Sequence, residues 1–358
     1  MTSLFDPIRL GALKLPNRVF MAPLTRGRAT RDHVPTEIMA EYYAQRAGAG
    51  LIISEATGIS LAGLGWPYAP GLWNAEQVAA WQPVTRAVHA AGGHIFAQLW
   101  HMGRLVHPNL PGRQQPVSAS ATTAPGLGRT YDGKQPNAAA RALRLDEIPG
   151  LLGDYRLAAR NAMTSGFDGV QVHAANGYLI DQFLRDSTNM RDDEYGGPIP
   201  DRIRLLREIT AAVAGEIAAD RTAVRLSPNG ASNGVNDSDP EALFSAAALA
   251  LSELGIAFLE LREPGPDSTF GKAERPAIAP LIRKAFSGPL VLNSDYDGAK
   301  AQAALDAGQA DAIAFGRRFL ANPDLPHRLR RGLPLNLDRS ETWYTTGPEG
   351  YIDYPKAG

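Results

Sequence analysis

The sequence predicts an α/β protein built as a (β/α)8 TIM barrel. Three observations predict it. Short apolar runs alternate with amphipathic stretches of helical period, which reads as βα units and a parallel sheet. The runs number eight, the count that closes a barrel. The G-x-G-x-x-G string that a doubly wound dinucleotide fold carries after a strand does not occur, nor does the Walker pattern.

The elements follow in order. Phe5 to Arg18, with Leu10-Gly11-Ala12-Leu13, reads as a small hairpin plugging the N-terminal face of the barrel. The first strand is Val19-Phe20-Met21-Ala22, followed by a helix over about 36–47. The second is Leu51-Ile52-Ile53-Ser54, followed by a helix over about 75–91 closed by Gly92-Gly93. Ile95-Phe96-Ala97-Gln98-Leu99 is the third, and its helix is delayed to about 146–165, closed by Gly166. Between them lies an excursion over 103–145, with Pro108, Pro111, Pro116, Pro125 and Pro136. Loops this long are usually functional, and a lid over the site is expected. Val170-Gln171-Val172 is the fourth strand, and a helix over about 200–219 leads to the fifth, Ala223-Val224-Arg225-Leu226. Phe258-Leu259-Glu260-Leu261, Leu290-Val291-Leu292 and Ala312-Ile313-Ala314-Phe315 complete the set, each after a helical stretch. One domain spanning 1–358 is expected.

Composition narrows the function. Apolar residues make up 44% of 358 residues, enough for a large core. Lys and Arg number 36 against 37 Asp and Glu, a balance that argues against nucleic-acid or membrane-surface binding. With no cysteine, disulfides, a Cys nucleophile, thiolate zinc and cysteine-held iron–sulfur clusters are excluded. No apolar signal segment or membrane-length run is seen, so a cytoplasmic protein is expected.

Chemistry in such barrels sits at the C-terminal strand ends. These ends supply Pro23 and Thr25; Glu55, Ala56 and Thr57; Gln98, Trp100 and His101; His173, Asn176 and Tyr178; Arg225 and Ser227; Glu260 and Arg262; Asn293, Ser294 and Asp295; Gly316 and Arg317. The set is rich in neutral hydrogen-bonding groups and poor in nucleophiles and metal ligands. None of the six lysines falls at a strand end, which disfavours a Schiff base. Glu55 and Glu260 sit on opposite sides of the barrel and read as structural groups rather than a hydrolytic pair. His94, His101 and His107 lack helical metal-site spacing, so no metal is expected.

Two strings are informative. Asn293-Ser294-Asp295-Tyr296 and Phe315-Gly316-Arg317-Arg318 follow strands seven and eight, where these barrels usually bind phosphate. Gly316 allows close backbone approach and Arg317 a bidentate grip; alternatively Gly316 is a turn glycine and Arg317 a surface ion pair. In His173-Ala174-Ala175-Asn176-Gly177-Tyr178, a helical turn would point His173 and Asn176 the same way, two donors for one oxygen. Tyr178 adds a protonated phenol. Residue types alone equally allow a satisfied His–Asn pair with Tyr178 packed in a loop.

Together these residues resemble the old yellow enzyme family of flavin-dependent ene-reductases, over nearly the whole chain. The strings are Pro16-Asn17-Arg18-Val19, Met21-Ala22-Pro23-Leu24-Thr25-Arg26, Glu41-Tyr42-Tyr43, Ile53-Ser54-Glu55-Ala56-Thr57 and Gln98-Leu99-Trp100-His101-Met102-Gly103-Arg104. The most specific runs from His173 through Tyr178 to Leu184, followed by Asp193-Glu194-Tyr195-Gly196-Gly197, Gly316-Arg317 and Asn322-Pro323-Asp324-Leu325.

The resemblance implies non-covalent FMN at the barrel mouth and a nicotinamide reductant, usually NADPH, with NADH possible. It implies Pro23, Thr25, Ala56 and Gln98 along the flavin ring, Arg225 near N1, and Asp295, Gly316 and Arg317 at the phosphate. Asp295 is unusual in that loop, and its backbone N–H is the expected contact. His173 and Asn176 would bind the carbonyl or nitro oxygen of an electron-poor alkene, flavin N5 would deliver hydride, and Tyr178 would protonate the α-carbon. Trp66 stands where many members have tyrosine; with Trp100 it puts two indoles at the mouth. Tyr351 is expected to close the pocket. Arg129 and Arg141 either meet a 2′-phosphate or are solvated loop charges. The expected partners are small enones, enals or nitroalkenes, and the expected state is monomer or homodimer. Two rivals are a colourless sugar-phosphate barrel enzyme and a flavin-binding redox carrier or sensor. The larger dienoyl-CoA reductases need cysteines that this chain lacks.

Overall fold

The computed structural model describes residues 2–110, 112, 115–269 and 271–357; Pro111 of the excursion lies outside them. Eight parallel strands close a barrel: β1 Val19–Met21, β2 Ile52–Gly58, β3 Ile95–Trp100, β4 Gly169–His173, β5 Thr222–Leu226, β6 Phe258–Arg262, β7 Leu290–Asn293 and β8 Ala312–Phe315. Each pairs with the next, and β8 returns to β1.

The outer helices are α1 Glu37–Ala44, α2 Ala75–Ala90, α3 Ile148–Thr164, α4 Arg204–Ile217, α5 Pro240–Glu253, α6 Ala279–Ala285, α7 Gly298–Asp306 and α8 Leu325–Arg331. Several start at a side chain that satisfies an orphan N–H. Asn74 accepts from the N–H of Gln77 at 2.9 Å, and Asp297 from that of Lys300 at 2.8 Å. The stretch expected as one helix over 200–219 is divided: Ile199–Arg202 ends at Ile203, whose ψ of −6° turns the chain before α4. Arg202 is thereby drawn inward onto Asp237, 2.5 Å away.

Inside the barrel the two-residue period of a strand creates layers. The lower layer is apolar: Phe96, Ala223, Phe258, Val291 and Ala312, closed from below by Ile8, Leu10 and Leu15 of the N-terminal hairpin. That hairpin pairs Ile8–Leu10 with Leu13–Leu15, the plug expected from the sequence. Gly169 belongs to this layer because the Phe96 ring leaves no space: a Cβ there would lie 2.4 Å from it. Two residues further on, the same strands present Gln98, Arg225, Glu260 and Asn293, with Gln171 above Gly169. The barrel therefore changes from apolar to polar toward its mouth.

The excursion between β3 and α3 carries an antiparallel hairpin, Leu127–Thr130 with Gly133–Pro136, and a short parallel pair, Val117–Ser118 with Arg141–Ala142. Arg104 ties it down, donating to Thr122 Oγ1 at 3.1 Å and to the carbonyl of Asn233 at 2.8 Å. Among the described residues no helix is long and apolar enough to cross a membrane.

Candidate active site

The C-terminal strand ends open into a cavity of about 940 Å³. Its floor is the polar layer, wired as one chain of contacts. Gln98 donates to Gln171 at 2.8 Å, and Gln171 donates to Glu260 at 2.7 Å. Glu260 lies 3.0 Å from Arg225 Nε, close but poorly aligned for a hydrogen bond. Arg225 donates to Asn293 at 2.6 Å, and Asn293 to the carbonyl of Ala314 at 2.7 Å. This chain crosses six of the eight strands. It also explains Glu260, which the sequence left only as a structural carboxylate: it is the counter-ion of the guanidinium facing the cavity.

β2 departs from simple alternation. After Ile53 opposite Phe96, the next pair is Ala56 opposite Gln98, so β2 carries one extra residue. Such a bulge re-aims every side chain after it. Leu51 and Ile53 face the apolar layer, and the shift brings Ala56 onto the cavity wall. Glu55 is turned instead to the loop after β1, where it accepts from the N–H groups of Arg26 at 3.0 Å and Gly27 at 3.1 Å. Burial holds the Glu55 carboxyl above its ordinary pKa, against the pull of those two N–H groups. This carboxylate fixes the backbone immediately after Thr25.

At the end of β4 no helical turn forms. Asn176 takes the left-handed conformation, φ 59°, its N–H bonded to Ser227 Oγ at 2.7 Å. Asn and Gly tolerate that region best, and Gly177 follows with φ 76°. The expected i,i+3 helical geometry is thus replaced by a tight loop, yet His173, Asn176 and Tyr178 all line the cavity. His173 and Tyr178 meet edge to face at 5.0 Å, and Trp100 meets Tyr178 edge to face at 4.9 Å.

Burial, with the positive charges of Arg225 and Arg262, pushes the His173 imidazole well below its usual pKa. It is a neutral ring at physiological pH, and its Nδ1 is buried without a hydrogen-bond partner among the described residues. Burial and the neighbouring Tyr344 raise the Tyr178 phenol above its usual pKa, against the pull of Arg225 and Arg262. Tyr178 therefore keeps its proton.

At the other end of the cavity, Gly316 precedes the short helix Arg317–Ala321. Arg317 forms an ion pair with Asp295 at 3.0 Å and also contacts Thr269. Thr269 donates to Asp295 through N and Oγ1 at 2.6 and 2.8 Å. Although burial opposes it, Thr269 and Arg317 hold the Asp295 carboxyl below its ordinary pKa. Both oxygens of the Asp295 carboxylate thus have partners at the cavity wall. Lys300 and Arg318 add positive charge to the same end.

The structure brings together Pro23, Thr25, Ala56, Trp66, Gln98, Trp100, His173, Asn176, Tyr178, Arg225, Asp295, Gly316 and Arg317 around this one space. Tyr351 is the exception, and the expectation that it closes the pocket is corrected. It is fully buried away from the cavity, stacked on Tyr42 at 4.0 Å, with the Arg28 guanidinium over its ring. The C-terminal tyrosine at the mouth is Tyr344, 5.2 Å from Trp66. Tyr344 and Gln171 are the site groups that sequence reasoning passed over; Arg262 was named at the end of the sixth strand but given no role, and it lines the cavity. From the excursion, Arg129 reaches the mouth and lies over Trp66 at 4.7 Å and Tyr344 at 4.5 Å. Arg141 is held by Glu147 through two 2.7 Å bonds.

An apolar slab, a row of amides, a buried guanidinium and a cationic end suit a flavin mononucleotide. The family model described as NADH:flavin oxidoreductase / NADH oxidase matches residues 3–336. The chain belongs to the old yellow enzyme family. Its members are flavin-dependent oxidoreductases that use FMN and a reduced nicotinamide. An old yellow enzyme homologue from Zymomonas mobilis is 66% identical, with a TM-score of 0.98 and 99% of each chain covered. Morphinone reductase is 46% identical, with a TM-score of 0.95, covering 99% of this chain and 96% of its own. Among sequence relatives, 12-oxophytodienoate reductase 2 of Arabidopsis thaliana is 40% identical over 356 residues, covering 98% of this chain and 95% of the relative. Chanoclavine-I aldehyde reductase of Penicillium roqueforti is 42% identical over 367 residues, covering 99% and 96%.

Proposed function

We propose that the chain is a single FMN-binding domain that reduces the C=C bond of alkenes activated by a carbonyl or nitro group. NADPH is the proposed reductant, with NADH as the alternative. Bound FMN would supply the hydride. Pro23, Thr25, Ala56, Gln98 and Arg225 would hold its ring system, and the Asp295 backbone, Gly316 and Arg317 its phosphate.

One observation carries the reading: a neutral imidazole, a primary amide and a protonated phenol converge on one buried space above a guanidinium. His173 and Asn176 bind the activating oxygen and stabilise the negative charge that grows on it; a lost donor of this kind costs roughly 3 kcal/mol. Tyr178 holds its proton for the α-carbon. Trp66 and Trp100 wall the alkene, and Tyr344 closes the mouth in the place expected for Tyr351. Morphinone reductase, solved in complex with tetrahydroNAD, supports a reduced nicotinamide as the reductant.

The test is the visible spectrum of the purified, FMN-loaded protein without oxygen. NADPH or NADH is expected to bleach the flavin bands, and cyclohexenone to restore them. Tyr178→Phe is expected to slow the second step on the order of 10²-fold and leave the first intact. An unchanged second step would remove Tyr178 as the donor. Bleaching that no enone or nitroalkene reverses would favour a redox carrier.

A further inference from the structure

Arg262 ends β6 beside Arg225 and lines the cavity close to the His173–Asn176 pair. Its Nη1 donates to Asn176 Oδ1 at 3.3 Å. The backbone of Asn176 is pinned independently: its N–H by Ser227 and its carbonyl by the Asn233 side-chain amide, at 2.8 Å. An asparagine amide has one accepting and one donating end. A guanidinium on the oxygen settles which way the group faces and leaves the NH2 for a ligand. The guanidinium is itself confined, since a Cβ on Gly271 would lie 2.7 Å from its Nη2. Burial and the adjacent Arg225 lower the Arg262 pKa to about 10, so it stays cationic at neutral pH.

We propose that Arg262 is a positioning and charge-bearing residue of the oxygen pocket: it fixes the Asn176 amide with its NH2 toward the ligand and adds positive charge where negative charge collects on the ligand oxygen. The proposal rests on the reading of His173 and Asn176 as the oxygen-binding pair. It makes the pocket selective for oxygens that carry more negative charge, a phenolate over a neutral ketone.

The experiment titrates FMN-loaded wild type, Arg262→Gln, Arg262→Lys and His173→Ala with 4-chlorophenol and with cyclohexanone from pH 6 to 10, read by the flavin absorbance change. Arg262→Gln is expected to weaken 4-chlorophenol binding about tenfold or more, the scale of a lost charge-assisted hydrogen bond. It is also expected to raise the pH at which the bound phenol ionises and to affect cyclohexanone less. Arg262→Lys keeps the charge and loses the fork, so ionisation is expected near the wild-type pH with weaker binding overall. Equal weakening of both ligands at every pH, with unchanged ionisation, would mean a merely structural arginine and overturn the proposal. If Arg262→Gln does not retain FMN, Arg262→Lys decides, and wild-type affinity there overturns the amide-fixing role. The parent reading fails separately, and the proposal with it, if His173→Ala binds both ligands as wild type does.

Discussion

Glu260 and Arg225 are both buried at the cavity floor, and each depends on the other for charge balance. Removing one partner of such a pair strands the other, at a cost of about 3–5 kcal/mol. Glu260→Gln is therefore expected to lower unfolding stability by about 3 kcal/mol, measured by urea denaturation. Wild-type stability would mean that Asn293 alone satisfies Arg225. The residue types at this floor were readable at the strand ends. Their wiring was not, because Gln98, Gln171, Glu260 and Asn293 lie on four different strands, and only barrel closure brings them into contact. Tyr351 shows the opposite limit. A C-terminal tyrosine near the pocket was expected, but nothing in the local sequence distinguishes it from Tyr344, and the stacking of Tyr351 on Tyr42 depends on the fold.

At the scale of elements, the segment after α8 closes the mouth and brings Trp343 and Tyr344 to the cavity. It has little regular structure of its own; arginines from the loop after β1 hold it. Arg28 donates to the carbonyls of Thr342, Trp343, Gly347 and Glu349 at 3.0–3.3 Å, and Arg26 to those of Trp343 and Gly350 at 3.1 and 2.7 Å. Arg28→Ala is expected to release the segment and cost on the order of 3 kcal/mol. Limited proteolysis would then cut within 339–350 faster than in wild type; an unchanged rate would show that Arg26 suffices. The strands and most helices were legible from periodicity. The bulge in β2 was not, since the apolar run Leu51-Ile52-Ile53 carries no mark that Ala56 will share a face with Ile53.

For the molecule as a whole, acid acts on buried histidine. Burial lowers the His101 pKa from 6.5 to about 4. The unfolded chain then binds more protons between those values, so His101 contributes stability that is present above pH 6.5 and lost as pH falls toward 4. The linkage amounts to about 3 kcal/mol. In His101→Gln that loss is absent, so the stability difference between variant and wild type is expected to move in favour of the variant by up to this amount on acidification. Urea melts at pH 7, 5.5 and 4.5 measure it, and a pH-independent difference would show that His101 is solvated or charged in the folded protein.

The sequence by itself determined the barrel, its plug, the positions of the strand ends and the chemical types gathered there. Each of these follows from short-range periodicity and from the rule that parallel strands present function at their C-terminal ends. The tertiary structure alone decided the polar chain across six strands, the left-handed turn at Asn176 with Arg262 on its amide, and the exchange of Tyr351 for Tyr344 at the mouth. These features join residues far apart in the chain. Their geometry is fixed by barrel closure and by buried charges seeking partners, neither of which leaves a pattern in any local stretch of sequence.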